Sequence, residues 1–141
     1  MRTQHLLRLN AVFLMTLGSA AAAADAVGHF VGRGPMAAVM FHAPLAISSF
    51  EAHLLAALLG AVLWSGAAQP DTRRSHIVAA AIHTVLGGSN LLFFERAFGA
   101  VDLRAFGVVI TACHLFFVLA QTLAALPAPR RTSPLALSPV A

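Results

Sequence analysis

Residues Phe106–Leu126 form an unbroken, charge-free apolar stretch with one histidine, His114, near its midpoint. A helix needs about 20 such residues, each rising about 1.5 Å, to cross the hydrocarbon core of a bilayer. Three further stretches are comparably apolar. A chain of 141 residues cannot hide four of them in one water-soluble core, because small domains leave much of their surface exposed. Composition agrees. The chain is 59% hydrophobic and only 10% charged, whereas soluble domains carry about 25% charged residues.

The pattern predicts an all-α fold: an integral membrane bundle of four transmembrane helices in antiparallel up-down order. The helices are expected over about 6–28, 44–68, 76–95 and 105–126, within one domain spanning 1–127. Gly32, Gly34 and Pro35 break the first connection and Pro70 the second. Four prolines, at 127, 129, 134 and 139, mark residues 128–141 as a disordered, Pro-rich tail.

The first stretch has a rival reading. Arg2 and Arg8 precede an apolar middle, and Ala22-Ala23-Ala24 resembles a small-residue cleavage site before Asp25. Residues 1–24 would then be a signal peptide, leaving three helices. Val27, Phe30 and Val31 prolong the apolar run past that site and favour retention.

The net charge is +4, and every basic side chain is arginine. Nucleic-acid binding needs a basic face with interleaved aromatics or a known module, and the sequence has neither. The arginines instead lie at the ends of the apolar stretches. With four spans, Arg2, Arg8, Arg73, Arg74, Arg130 and Arg131 share one side, while Arg33, Arg96 and Arg104 lie opposite with Asp25, Glu95 and Asp102. The positive-inside rule then makes both termini and the tail cytoplasmic. Cys113 is the only cysteine, so no internal disulfide is available, and it reads as a small buried apolar residue.

The informative residues are those that hydrocarbon penalises. On the third helix His76, His83 and Asn90 recur every seven positions, with Gly87 beside them. On the fourth, Gly107, Thr111, His114 and Gln121 draw a similar stripe. At 3.6 residues per turn each stripe is nearly straight, and both are expected to face the interior. Glu51 and His53 sit two apart and diverge by about 200°, so one of them looks elsewhere. Counted from Pro44, Phe94 and Phe106, His53, His83 and His114 fall within about 5 Å of depth. The expected intramembrane polar cluster is Glu51, Asn90, Thr111 and Gln121 around those three histidines.

Three functions fit such a layer. Imidazole, Asn and Gln side chains can act as hydrogen-bonding glue that fixes helix register. Histidines on different helices can hold the iron of a haem b, and one histidine can ligate a chlorophyll-type pigment; His53, His83 and His114 are the candidate ligands. Glu51 with these histidines could form a proton or metal-ion path, although no pair has the i,i+3 or i,i+4 spacing of a helical metal site. At the membrane surface, His29 and His42 read as headgroup-level residues. The Glu95, Arg96, Asp102 and Arg104 group reads as exposed loop ion pairs. No Ser-His-Asp set, phosphate-binding glycine loop or HExxH motif is visible.

Small residues recur every fourth position along the second helix, at Ser48, Ala52, Ala56 and Gly60, and along the first, at Gly18, Ala22 and Ala26. Such stripes allow close helix packing in lipid. The run His5-Leu6-Leu7-Arg8-Leu9-Asn10-Ala11-Val12-Phe13, with Gly18 and four short-looped spans, is similar to small bacterial integral membrane proteins of unassigned function. That resemblance implies the fold and a bacterial membrane location, and it transfers no catalytic residue. The expectation is a non-enzymatic subunit or accessory protein of a bacterial inner-membrane complex. Its partners would be the bilayer and either further copies of itself or a larger assembly.

Overall fold

The computed structural model describes residues 2–44 and 46–127. The expected tail, 128–141, lies outside the described residues. Regular structure is helical throughout, with no strand among the described residues. Four long helices, α1 (Arg2–Val31), α3 (Ala46–Gly66), α4 (Arg73–Leu92) and α5 (Arg104–Ala125), are joined by a short α2 (Ala37–Met40) and a π-helical turn, Glu95–Gly99.

The ends differ from the sequence expectation for local reasons. α1 begins earlier and continues to Val31, where Gly32 takes a left-handed conformation (φ +64°) that ends the helix. α4 begins before the apolar run, because Asp71 Oδ1 accepts the backbone N–H of Arg73 at 2.9 Å. Arg73 also donates from Nε to the carbonyl of Ala125 at 3.1 Å, tying the start of α4 to the end of α5.

Three helices are long and apolar enough to cross a membrane: Thr3–Val31, Ala46–Gly66 and Arg104–Ala125. Of the four expected spans, α4 is the one that falls short of that apolarity. That helix carries Arg73, Arg74, His76, His83 and Asn90 within its 20 residues, and they dilute its apolar content. Two of these, His76 and His83, are completely buried, whereas Arg73 and Arg74 are exposed at its first turn.

α1 and α3 pack antiparallel at close range. A Cβ added to Gly18 would stand 2.6 Å from the His53 carbonyl oxygen, and one on Gly60 would stand 2.8 Å from that of Ala11. Half of the α3 small-residue stripe, Ala56 and Gly60, serves this contact; Ser48 and Ala52 face outward. α4 pairs with α5, also antiparallel, since His76 meets Gln121 and His83 meets His114. The two pairs join through α1. Their shared apolar core, Leu7, Ala11, Leu14, Leu63, Ala67 and Ala79, lies at the end where α1 begins and α3 finishes. The outer surface is apolar, with Leu55, Leu58, Val62, Val85, Val108, Phe116 and Leu119 all exposed.

Candidate functional site

Towards the opposite end, past the core, the helix pairs border an open-sided cavity of about 790 Å³. Most of its lining is apolar or small. Gly18, Ala21 and Ala24 come from α1, Met36 and Met40 from the α2 region, Ala56 from α3, and Phe98, Phe106 and Ile110 from the α5 side. The polar side chains that reach it include Asp25, His53, Asn90 and His114.

His114 is held by a chain of hydrogen bonds across three helices. Asn10 Oδ1 lies 2.7 Å from His83 Nε2, and His83 Nδ1 lies 2.7 Å from His114 Nδ1. An amide oxygen can only accept, so His83 donates from Nε2. Neutral His83 must then accept at Nδ1, and His114 donates from its own Nδ1. His114 is left with a lone pair on Nε2, which has no protein partner among the described residues. His114 is nearly buried (5% exposed) and lines the cavity, so this nitrogen is the one available to an occupant. Phe13 and Phe117 fix the rings. Phe117 stacks on His83 at 4.8 Å, and Phe13 meets His114 edge-on at 5.7 Å. Gly87 leaves room for His114, since a Cβ there would stand 3.1 Å from the His114 Cβ.

His53 is oriented by the same logic from α3. Its Nδ1 donates to Asp25 Oδ2 at 2.7 Å, across to α1. Asp25 is buried at 1% exposure while the His53 side chain is 37% exposed. A third pair, His76 Nδ1 donating to Gln121 Oε1, is fully buried between α4 and α5 near the core end.

The sequence-predicted residues therefore separate. His83, His114, Thr111 and Gln121 are buried along facing stripes of α4 and α5, and Asn90 reaches the cavity. Glu51 is corrected outright: it is exposed on the outer face of α3 and joins no internal cluster. The shared depth of the three histidines is corrected too. Phe13 lies against His114 and Gly18 abuts the backbone of His53, and those two α1 residues are five apart, about 7 Å along the helix. An iron between two imidazoles needs their nitrogens about 4 Å apart, with each bond near 2 Å. His53 and His114 stand too far apart in depth for that, and both His83 nitrogens are engaged. His114 is the one predicted tetrapyrrole ligand that is both buried and free. Among the described residues, no three His, Cys, Asp or Glu side chains group to hold a metal ion.

Sequence reasoning missed Asn10 and Asp25 as the partners of internal histidines. One signal was available for Asp25: with Gly18 and Ala22 it follows i, i+4, i+7 spacing, which places it on the face that packs against α3.

No protein-family model matches the chain, and no curated protein or solved structure matches it either.

Proposed function

We propose that the chain is a non-enzymatic integral membrane subunit or accessory protein of a bacterial inner-membrane complex. In this reading all four long helices cross the bilayer and both termini are cytoplasmic. α4 crosses because its histidines are spent on Asn10, His114 and Gln121 and not on lipid. The cation–π contact of Arg8 with Trp64, 5.7 Å to the ring centroid, supports a headgroup level at the cytoplasmic end, where such residues anchor helices.

The observation that carries the subunit role is the outer face of α3. Ser48, Glu51, Ala52 and Leu55 follow i, i+3, i+4, i+7 spacing and are all exposed. A carboxylate on a lipid-facing surface is penalised, and small residues beside it permit close approach of another helix. A second helix carrying a donor, from another copy or a larger assembly, satisfies both.

The test is native mass spectrometry or crosslinking of protein extracted in mild detergent. The proposal expects an oligomer or a copurifying partner that Ala52→Trp disrupts while helicity is unchanged. A strict monomer with no partner, or association indifferent to Ala52→Trp, would overturn it.

The tetrapyrrole reading retains one candidate ligand, His114, facing the cavity. A Soret or chlorin band on the purified protein that disappears in His114→Ala would support it; a colourless protein from a cofactor-producing host removes it. The proton-path reading has less support, since Glu51 points outward.

A further inference from the structure

α3 presents Ala46, Ser49, His53 and Ala56 to the cavity. Their spacing, three, four and three residues, puts them on one face of the helix. Ser49 and His53 stand one turn apart on that face, with Cβ atoms about 5–6 Å apart. Helical side chains lean toward the N-terminal end of their own helix, so the His53 ring leans over the turn that carries Ser49. Across the α1–α3 groove, Asp25 Oδ2 accepts the Nδ1 hydrogen of His53 at 2.7 Å. The neutral ring then keeps its lone pair on Nε2, at its tip. Asp25 is 1% exposed, and its Oδ1 has no partner among the described residues, so its charge is held against the imidazole alone. A hydroxyl, a base and the carboxylate that orients the base thus converge on one cavity. Positions 25, 49 and 53 form no linear motif; the packing of α1 on α3 joins them.

We propose that Ser49 and His53 carry out acyl transfer on an ester-linked lipid chain, with Asp25 as the positioning residue. His53 Nε2 takes the hydroxyl proton as Ser49 Oγ adds to the ester carbonyl carbon. Donors for the tetrahedral oxyanion come from the other helix pair, where Asn90 and Arg96 line the same cavity. Collapse of the oxyanion breaks the ester C–O bond. The departing alcohol oxygen takes the proton from His53, and the acyl group stays on Ser49. Water or a second alcohol, activated by His53 in the same way, then attacks the acyl carbonyl. Ser49 is freed, and a carboxylic acid or a new ester leaves. The cavity sets the substrate class. It is mostly apolar and open on one side, so an acyl chain can enter from the bilayer, and its volume of about 790 Å³ lies within the roughly 300–1,000 Å³ of small-molecule sites. Ser49 lies in the first turn of α3, at the headgroup end of that span, where lipid ester groups lie.

This inference rests on the membrane placement proposed above and makes no use of the outer face of α3; an acylated Ser49 would replace only the non-enzymatic part of that reading. Its test uses the full chain in nanodiscs with two probes, 4-nitrophenyl octanoate and an alkyl fluorophosphonate. The expected result is a burst of about one nitrophenolate per chain, and a phosphonyl adduct that fragment mass spectra place on Ser49. Ser49→Ala abolishes both. His53→Gln slows both a hundredfold or more, within the range of a lost general base. Asp25→Asn lowers kcat tenfold or more with KM unchanged, because the imidazole loses the acceptor that fixes its tautomer. Ser65→Ala, at the far end of α3, leaves burst and adduct unchanged. In case a variant fails to fold, the position of the adduct on the wild-type chain decides by itself. No burst and no adduct, an adduct elsewhere on the chain, a burst that persists in Ser49→Ala, or wild-type rates in both His53→Gln and Asp25→Asn would each overturn the proposal. A chain that crosses the membrane and associates as expected yet takes no acyl group refutes this inference alone.

Discussion

His83 and His114, 31 residues apart in the chain, face each other Nδ1 to Nδ1 at 2.7 Å. One of these nitrogens must carry a hydrogen and the other must lack it, so the two rings tautomerise as a unit. Asn10 decides which way round, because its oxygen asks for the hydrogen of His83 Nε2. A polar residue near the start of the chain thereby sets the chemistry of a ring on the last helix.

Removing the middle of this chain leaves two buried groups unpaired. His83→Ala is expected to destabilise the protein by about 2 kcal/mol or more, since each unsatisfied buried polar group costs about 1–3 kcal/mol. A double-mutant cycle with Asn10→Ala should return a coupling of roughly 0.6–2 kcal/mol, the range of interhelical hydrogen bonds in membranes. Unfolding in detergent with increasing sodium dodecyl sulfate measures both, and additive effects would contradict the bond.

The Asp25–His53 pair predicts an asymmetry. His53→Ala strands a carboxylate that is 1% exposed, whereas Asp25→Ala strands an imidazole that is 37% exposed. Stranding a buried polar group without its hydrogen-bond partner costs about 1–3 kcal/mol, and an exposed one costs far less. His53→Ala should therefore be the more damaging change in the same unfolding assay; the reverse order would mean that Asp25 is not the buried member.

Two helical glycines should respond with opposite sign. Gly60 faces the Ala11 carbonyl and Met15 across the α1–α3 contact, so Gly60→Ala forces the helices apart and costs about 1–3 kcal/mol. Gly88 has nothing within 4 Å of an added Cβ, so Gly88→Ala gains about 0.5–1 kcal/mol from helix propensity. Thermal melts in detergent distinguish the two, and a matching sign would refute the close packing.

Retention of α1 follows from what it supplies. Asn10 orients His83, and Gly18 and Asp25 hold α3. Peptide mass spectrometry of membrane-extracted protein should recover peptides from residues 1–24 in the mature species. A mature species beginning at Asp25 would contradict it.

Much of the fold was legible because lipid imposes a simple rule of length and apolarity. The polar stripes were legible too, since spacings of seven and three residues put His76 and His83 on one line and Thr111, His114 and Gln121 on another, and those residues are buried. The partners were not. Periodicity says which face a residue occupies but not which neighbour stands opposite, so Asn10 and Asp25 read as blemishes in an apolar helix. Depth failed for His53 because counting from loop boundaries ignores how far one helix is shifted along another; the Gly18 contact sets that shift. For Glu51 the two-residue spacing said that either it or His53 looks elsewhere, without saying which; Glu51 turns outward with its neighbours Ser48 and Ala52.

The proposal's central claim is that α4 crosses the bilayer, with His76 and His83 hydrogen-bonded inside the protein and its two arginines confined to its first turn. Topology reporters at the two ends test this most directly, with green fluorescent protein active in the cytoplasm and alkaline phosphatase active outside it. Four crossings place both termini in the cytoplasm, giving fluorescence and no phosphatase activity at either end. Fluorescence at one end and phosphatase activity at the other would mean three crossings, and the account would be wrong.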